Sequence, residues 1–473
     1  MKILYAASEA VPFIKSGGLA DVAGSLTLAV RKRMHACRVV LPLYGSIAQE
    51  YKEQMKLVAS FYVPLGWRNQ YCGVFELTYS GVKFYFIDNE YYFGRHGLYG
   101  FFDDAERFAF FSKAILEMLQ HIDFEPEIIH CNDWQTAMIP AYLNIFYRHI
   151  EAYKSIKTVF SIHNIQYQGQ FDMSIAQDVL GLPTAANGIV EYSKDCNFMK
   201  AAIDQSDAVS TVSPTYAAEI LDPWFAYELD NILNDNIDKL SGIINGIDTV
   251  LYNSETDKLI TANFSAKELG GKAECKAALQ AELGLELDPD AMIIGMVTRL
   301  VEPKGIDLVR AAFAELMGMN VQFVLLGSGD WQYEKFFREA VMSYPQRVSA
   351  TIGFDAPLSH RIYSSADVFL MPSKSEPCGL SQMISLRYGT LPVVRKTGGL
   401  NDSIRDFGGE NGNGYNFPNI DPVDMLAAIG RAYDDFQDKD GWQKKIKAAL
   451  ACELGWKQSA NEYIALYKSL LAD

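Results

Sequence analysis

The feature that most constrains this chain is an alternation running through both of its halves. Short apolar runs end in glycine or polar residues, and helical spacing follows them. Runs of this length, bounded by turn residues, read as buried strands of a parallel sheet. In the first half, strands are predicted at Lys2–Ala7, Arg38–Leu43, Ile128–His130, Val159–Ile162 and Asp207–Val212, and Ile243–Asp248 reads as a last strand ending in a turn. In the second half they are predicted at Met292–Val297, Gln322–Leu326, Val348–Ile352, Val368–Met371 and Thr390–Val394. Residues 57 to 93 are strand-like with hairpin character, and their many aromatics are read as core. The chain is therefore α/β, with two Rossmann-like, doubly wound parallel-sheet domains. The first spans residues 1–245 and the second 246–454, with a polar, helix-rich stretch over 249–290. A last helix lies within 455–473 and carries Trp456, Ala460, Tyr463, Tyr467 and Leu470 on one stripe that must bury against something.

Composition narrows the partners. A chain of 473 residues has room for two such domains and their cores. A net charge of −16 speaks against nucleic acid, and the lack of an apolar run long enough to span a bilayer speaks against membrane insertion. The N-terminal MKILYAASEAVPF is read as a first strand and not a signal peptide, because Glu9 interrupts its apolar run. Seven scattered cysteines without a C-x-x-C pair argue against a disulfide framework or a zinc site and fit a cytoplasmic chain.

The loops at the carboxyl ends of the strands are where such sheets hold ligands. After the first strand comes Lys15-Ser16-Gly17-Gly18-Leu19-Ala20-Asp21. It has neither the dinucleotide spacing nor a P-loop, since Lys15 precedes the glycines. It is either a tight turn with a surface lysine or a phosphate-facing loop. Asp133 and His163 stand at two further strand ends. In the second half, Arg299 and Lys304 share one loop, and Glu376 lies on another, just before Cys378-Gly379-Leu380-Ser381 opens a helix. Glu376 is either a capping acid or a group that holds a hydroxyl-rich ligand; Arg299 and Lys304 suit a diphosphate. Cys378 is read as a small packing residue at a helix start. Asp103-Asp104 and Glu255-Thr256-Asp257 resemble acidic metal motifs but follow no suitable strand, so neither a metal nor a cofactor is expected.

The motifs, taken in order, resemble those of bacterial glycogen synthases and plant starch synthases that use ADP-glucose, over nearly the whole length. They are Lys15–Val22, His130-Cys131-Asn132-Asp133-Trp134, His163–Gly169, Thr298-Arg299-Leu300 with Lys304-Gly305, Glu376-Pro377-Cys378-Gly379-Leu380 and Arg387–Pro392. The resemblance implies a retaining glycosyltransferase of the B type, with two Rossmann-like domains facing across a cleft and the last helix returning to the first domain. It implies transfer of glucose from ADP-glucose to an α-1,4-glucan such as glycogen or a maltooligosaccharide. It assigns the catalytic part to Glu376, His163, Arg299 and Lys304. By the same resemblance, Lys15, Gly17, Gly18, Asp21, Asp133, Asn245, Phe354, Cys378, Gly379, Leu380 and Ser381 contact substrates. No second carboxylate suits a covalent intermediate, so front-face attack assisted by the leaving phosphate is expected. Ser375, Ser385, Met34 and Glu453-Leu454-Gly455 depart from the family pattern. The rival readings are a related transferase using UDP-glucose and a catalytically silent glucan-binding protein.

Overall fold

The computed structural model describes residues 1–472. The chain forms two units, Met1–Gly246 together with the chain from Trp456, and Ile247–Gly455. No helix among the described residues is long and apolar enough to cross a membrane.

The apolar runs of the first half pair into one nine-stranded sheet. Its strands are β1 (Lys2–Ala6), β2 (Ala36–Pro42), β3 (Lys56–Leu65), β4 (Arg68–Tyr79), β5 (Val82–Asp88), β6 (Ile128–Asn132), β7 (Lys157–Ile162), β11 (Ala208–Thr211) and β12 (Leu240–Gly242). A separate three-stranded sheet is built from β8 (Gln170–Asp172), β9 (Glu191–Tyr192) and β10 (Asp195–Asn197). The large sheet runs in the order β12-β11-β7-β6-β1-β2-β5-β4-β3. Pairing is parallel from β12 to β5, while β5-β4-β3 is an antiparallel extension, which is the hairpin character read over residues 57–93. The predicted strand at Ile243–Asp248 is a correction. Pairing with β11 ends at Gly242, and Ile243 onward leaves the sheet as irregular chain. Helices of this unit include α1 (Gly18–Arg31), α2 (Asp104–Met118) and α3 (Pro214–Glu219), the last capped by Ser213 with Pro214 at its first position.

The second unit holds a six-stranded, wholly parallel sheet in the order β15-β14-β13-β16-β17-β18. These strands are β13 (Met292–Val297), β14 (Val321–Gly327), β15 (Val348–Ile352), β16 (Val368–Met371), β17 (Leu391–Arg395) and β18 (Tyr415–Phe417). Around it lie α4 (Gly270–Glu282), α5 (Ile306–Leu316), α6 (Ala356–Ser365), α7 (Ser381–Arg387) and α8 (Gly398–Ser403). The stretch expected to be helix-rich has α4 as its regular helix, and turns fill most of residues 249–269.

The terminal helix, Lys457–Ala472, belongs to the first unit, and its stripe is buried there at Ala460, Tyr463, Ile464 and Tyr467. Arg33 fastens the start of this helix by donating to Lys457 O at 2.7 Å. Deeper in, Tyr467 Oη lies 2.7 Å from His130 Nδ1, and His130 Nε2 lies 2.6 Å from Ser161 Oγ. Burial pushes the imidazole down to about 3, so it is neutral and offers one donor and one acceptor to this chain of contacts. Removing the Tyr467 hydroxyl leaves a buried ring nitrogen unpaired. Tyr467→Phe is therefore expected to lower unfolding stability by about 1–3 kcal/mol, read by urea denaturation. An unchanged midpoint would contradict the role given to this contact.

Candidate active site

An open parallel sheet offers its crevice where strand order reverses. In the second unit β14 and β15 extend from one side of β13, and β16, β17 and β18 from the other. The switch therefore lies between β13 and β16. The loop leaving β13 carries Arg299 and Lys304, and the loop leaving β16 carries Glu376. The fold brings Lys304 and Glu376 together, with Nζ 2.6 Å from Oε2. Ser373 Oγ donates to the same oxygen at 3.0 Å. Glu376 is only 6% exposed, and the Lys304 cation stands beside it where it offsets the cost of burying a charged side chain. Both partners use Oε2, which leaves Oε1 as the acceptor available to a ligand. Arg299 is exposed on the β13 loop, and Phe354, on the loop leaving β15, is 90% exposed.

The Glu376 loop is held by what surrounds it. Gly305, at the start of α5, has φ +70°, and a Cβ there would lie 2.0 Å from Pro372 O. Gly398, at the start of α8, has φ +40°, and a Cβ there would lie 2.0 Å from Glu376 O. Only glycine fits either approach. Gly399 N donates to Glu376 O at 3.2 Å, and buried Arg395 donates to Ser373 O at 2.8 Å. Gln382, on α7, donates through Nε2 to Gly379 O at 2.9 Å and to Ser403 Oγ at 3.0 Å. Cys378 is buried, Leu380 is the N-cap of α7, and Ser381 is its first residue.

The first sheet has its own reversal, between β1 and β6. In the loop leaving β1, the Glu9 carboxylate accepts from Ser16 N, from Ser16 Oγ at 3.1 Å and from Gly17 N at 3.3 Å. Burial raises this carboxyl, and those same hydrogen bonds oppose the rise. The turn they close ends at Gly18, where α1 begins, and Lys15 pairs with Asp21 at 2.7 Å. In the loop leaving β6, Asp133 has φ +55° and ψ 179°, a backbone state that costs a non-glycine residue energy. Its Oδ1 accepts from His163 N at 2.8 Å and from Asn164 N at 3.4 Å. Burial nevertheless pushes the Asp133 carboxyl up to about 7.

The His163 tautomer follows from its neighbours. Asn132 Nδ2 donates to Ala6 O at 2.9 Å, so Asn132 Oδ1 is the acceptor for both Tyr5 Oη and His163 Nε2, each at 2.8 Å. His163 therefore carries its proton on Nε2 and offers Nδ1 as an acceptor. Burial pushes its pKa down to about 4. Asn245 is buried, and its Oδ1 has no hydrogen-bond partner among the described residues.

The residues singled out in the sequence thus form two groups, one at each switch point: Lys304 with Glu376, and Lys15, Asp21, Asp133 and His163. Sequence reasoning missed Glu9, Asn132, Ser373 and Gln382 as organisers. A polar residue directly after a strand was the available signal for Glu9, and Asn132 lay inside a motif already noted. The acidic motifs serve structure instead. Asp103 takes a two-point contact from Arg95 at 2.6 and 2.7 Å, and Asp257 pairs with His360. Among the described residues no group of three or more His, Cys, Asp or Glu could hold a metal ion. Two departures from the family pattern have a visible setting. Met34 is exposed at φ +66°, and Ser385 is buried with its hydroxyl donating to Gln382 O at 2.9 Å.

Comparison with known proteins gives the family and the fold. Residues 2–235 match the family model of the starch synthase catalytic domain, and residues 284–448 that of glycosyl transferases group 1. A glycogen synthase of Alkaliphilus metalliredigens (strain QYMF) is 48% identical over 474 residues, covering 99% of this chain and 100% of the relative. A glycogen synthase of Geobacillus stearothermophilus is 47% identical over 475 residues, covering 100% of this chain and 98% of the relative. Among solved structures, the catalytic domain of Starch Synthase IV from Arabidopsis thaliana, bound to ADP and acarbose, superposes with a TM-score of 0.93 at 33% identity, covering 100% of this chain and 99% of that one. A sucrose-phosphate synthase from Thermosynechococcus elongatus shares the fold, with a TM-score of 0.63 at 17% identity over 100% of this chain and 99% of that one. With relatives this similar along its full length, the chain belongs to the glycogen synthase family of glycosyltransferases.

Proposed function

We propose that this enzyme transfers glucose from ADP-glucose to the 4-hydroxyl at the non-reducing end of an α-1,4-glucan, with retention at the anomeric carbon, in the cytoplasm. The observation that carries the reading is the Lys304–Glu376 pair at the switch point of the second sheet. On this reading the second unit takes the nucleotide sugar and the first takes the glucan. Lys304 and Arg299 neutralise the leaving diphosphate, which is where charge grows as the glycosidic bond breaks. Glu376, with its charge already paired, is a weak nucleophile; its free Oε1 accepts donor sugar hydroxyls. In the first unit His163 offers a neutral Nδ1 as an acceptor, and Asp133 and the unpartnered Asn245 Oδ1 accept glucan hydroxyls. The exposed Phe354 ring suits stacking on adenine. The ADP bound to the Arabidopsis relative supports an adenine nucleotide. Retention then proceeds by front-face attack, the leaving phosphate taking the acceptor's proton as the new bond forms.

The direct test is ADP release from ADP-glucose with glycogen, compared with UDP release from UDP-glucose. Faster use of ADP-glucose is expected, and equal or faster use of UDP-glucose would overturn the donor assignment. Lys304→Ala should lose most turnover, a barrier increase of about 3 kcal/mol, while keeping its fold by circular dichroism. Near-normal turnover in a folded variant would remove the role given to Lys304.

The ionisation states give a further prediction. Asp133 titrates near 7 when folded, because burial disfavours its charge, and near the ordinary carboxylate value of about 3.9 when unfolded. Between those values the folded state holds a proton that the unfolded state has lost. The contribution is therefore complete below about pH 4 and is lost as pH rises through about 7. Asp133→Asn removes that loss, so the variant should gain stability relative to wild type as pH rises from about 4 to about 7, and hold that gain above it, in urea unfolding. A stability difference independent of pH would contradict the assignment.

A further inference from the structure

Helix α7 has only seven residues, too few to hold itself in place. Its position matters to the Glu376 loop, because Gln382 ties that loop to the helix through Gly379 O. Both ends of α7 are gripped by side chains outside the described site. At the start, Tyr363, on α6, donates its hydroxyl to Ser381 Oγ at 3.0 Å. At the end, Tyr388 follows the last residue of the helix and donates its hydroxyl to Asp257 Oδ2 at 2.6 Å. The same oxygen lies 2.6 Å from His360 Nδ1, again on α6. The His360 ring stacks on Tyr252, with centroids 5.1 Å apart. Tyr363 and Tyr388 lie nearly parallel at 15°, and Lys272 Nζ caps Tyr388 O at 2.9 Å. A Tyr–Asp–His cluster resembles acid–base machinery, but the side chains of His360 and Asp257 are 6% and 4% exposed, Asp257 Oδ2 is taken by His360 and Tyr388, and Asp257 Oδ1 accepts from Leu259 N at 2.8 Å.

We propose that Asp257, with His360, Tyr388 and Tyr363, is a positioning device for the transfer reaction: it locks α7 against α6 and, through Gln382, sets where the Glu376 carboxylate stands. The inference rests on the reading of Glu376 as the group that holds the donor sugar. Displacement of about 1 Å at a reacting centre costs far more in rate than in stability, which is what separates this role from ordinary packing.

The experiment compares three Tyr→Phe variants of the full chain. Tyr388→Phe and Tyr363→Phe each remove one hydroxyl that grips α7. Tyr415→Phe removes a matched one, since Tyr415 is buried in the same unit and its hydroxyl donates to Asp435 Oδ2 at 2.6 Å and not to α7. The α7 variants should lose about tenfold in kcat/KM for ADP-glucose while the KM for glycogen holds. Tyr415→Phe should lower the melting temperature comparably and leave both kinetic constants in place. Asp257→Asn, which keeps one acceptor oxygen, should retain more donor kcat/KM than Asp257→Ala. Wild-type donor kinetics in Tyr388→Phe and Tyr363→Phe, or an equal loss in Tyr415→Phe, would overturn the inference and leave the proposed function standing. A wild-type enzyme that releases no ADP from ADP-glucose would overturn both.

Discussion

The ion pair between Lys304 and Glu376 is the interaction on which the second unit depends. Burying a lone charge is costly, and the lysine 2.6 Å from this carboxyl offsets that cost. Everything near the pair is arranged to keep that distance. Gly305 and Gly398 admit the loop at two points where a Cβ would collide, Arg395 holds Ser373 O, and Gln382 holds Gly379 O. On the proposed function this fixed charge arrangement is the condition under which electrostatics lowers a barrier.

The first unit uses the same device with backbone donors in place of a cation. Glu9 gathers the N–H groups of Ser16 and Gly17, and Asp133 gathers those of His163 and Asn164. Glu9 closes the loop that carries it, and Asp133 holds the start of the loop leaving the neighbouring β7. Asp133 does so from a left-handed backbone state, so the loop geometry is maintained at a local cost that the surrounding sheet absorbs.

Much of this was legible in the sequence because the relevant signals are local. Strand runs such as Met292–Val297 and Val348–Ile352 match the folded strands, since apolar length and turn residues are short-range properties. Lys304 and Glu376 stood out for the same reason, as charged residues on strand-end loops. Their pairing was not legible, because it depends on strand order, and 72 positions separate them. Asn132 was in a noted motif, but its partners Tyr5, Ala6 and His163 are brought near only by the fold; Glu9 and Gln382 act on chain close by in sequence, where the pattern of apolar residues carries no signal for a side chain that holds a loop. Ile243–Asp248 misled for a related reason, as apolar spacing cannot tell where β12 loses its neighbour.

The central claim is that Lys304 serves the diphosphate while Glu376 serves the sugar. Calorimetric titration of ADP into Lys304→Ala and Glu376→Gln tests it most directly. The account predicts that Lys304→Ala binds ADP at least about tenfold more weakly than wild type, and that Glu376→Gln, which frees Lys304, binds it as tightly or more tightly. Loss of ADP binding in a folded Glu376→Gln variant, or its retention in Lys304→Ala, would contradict it.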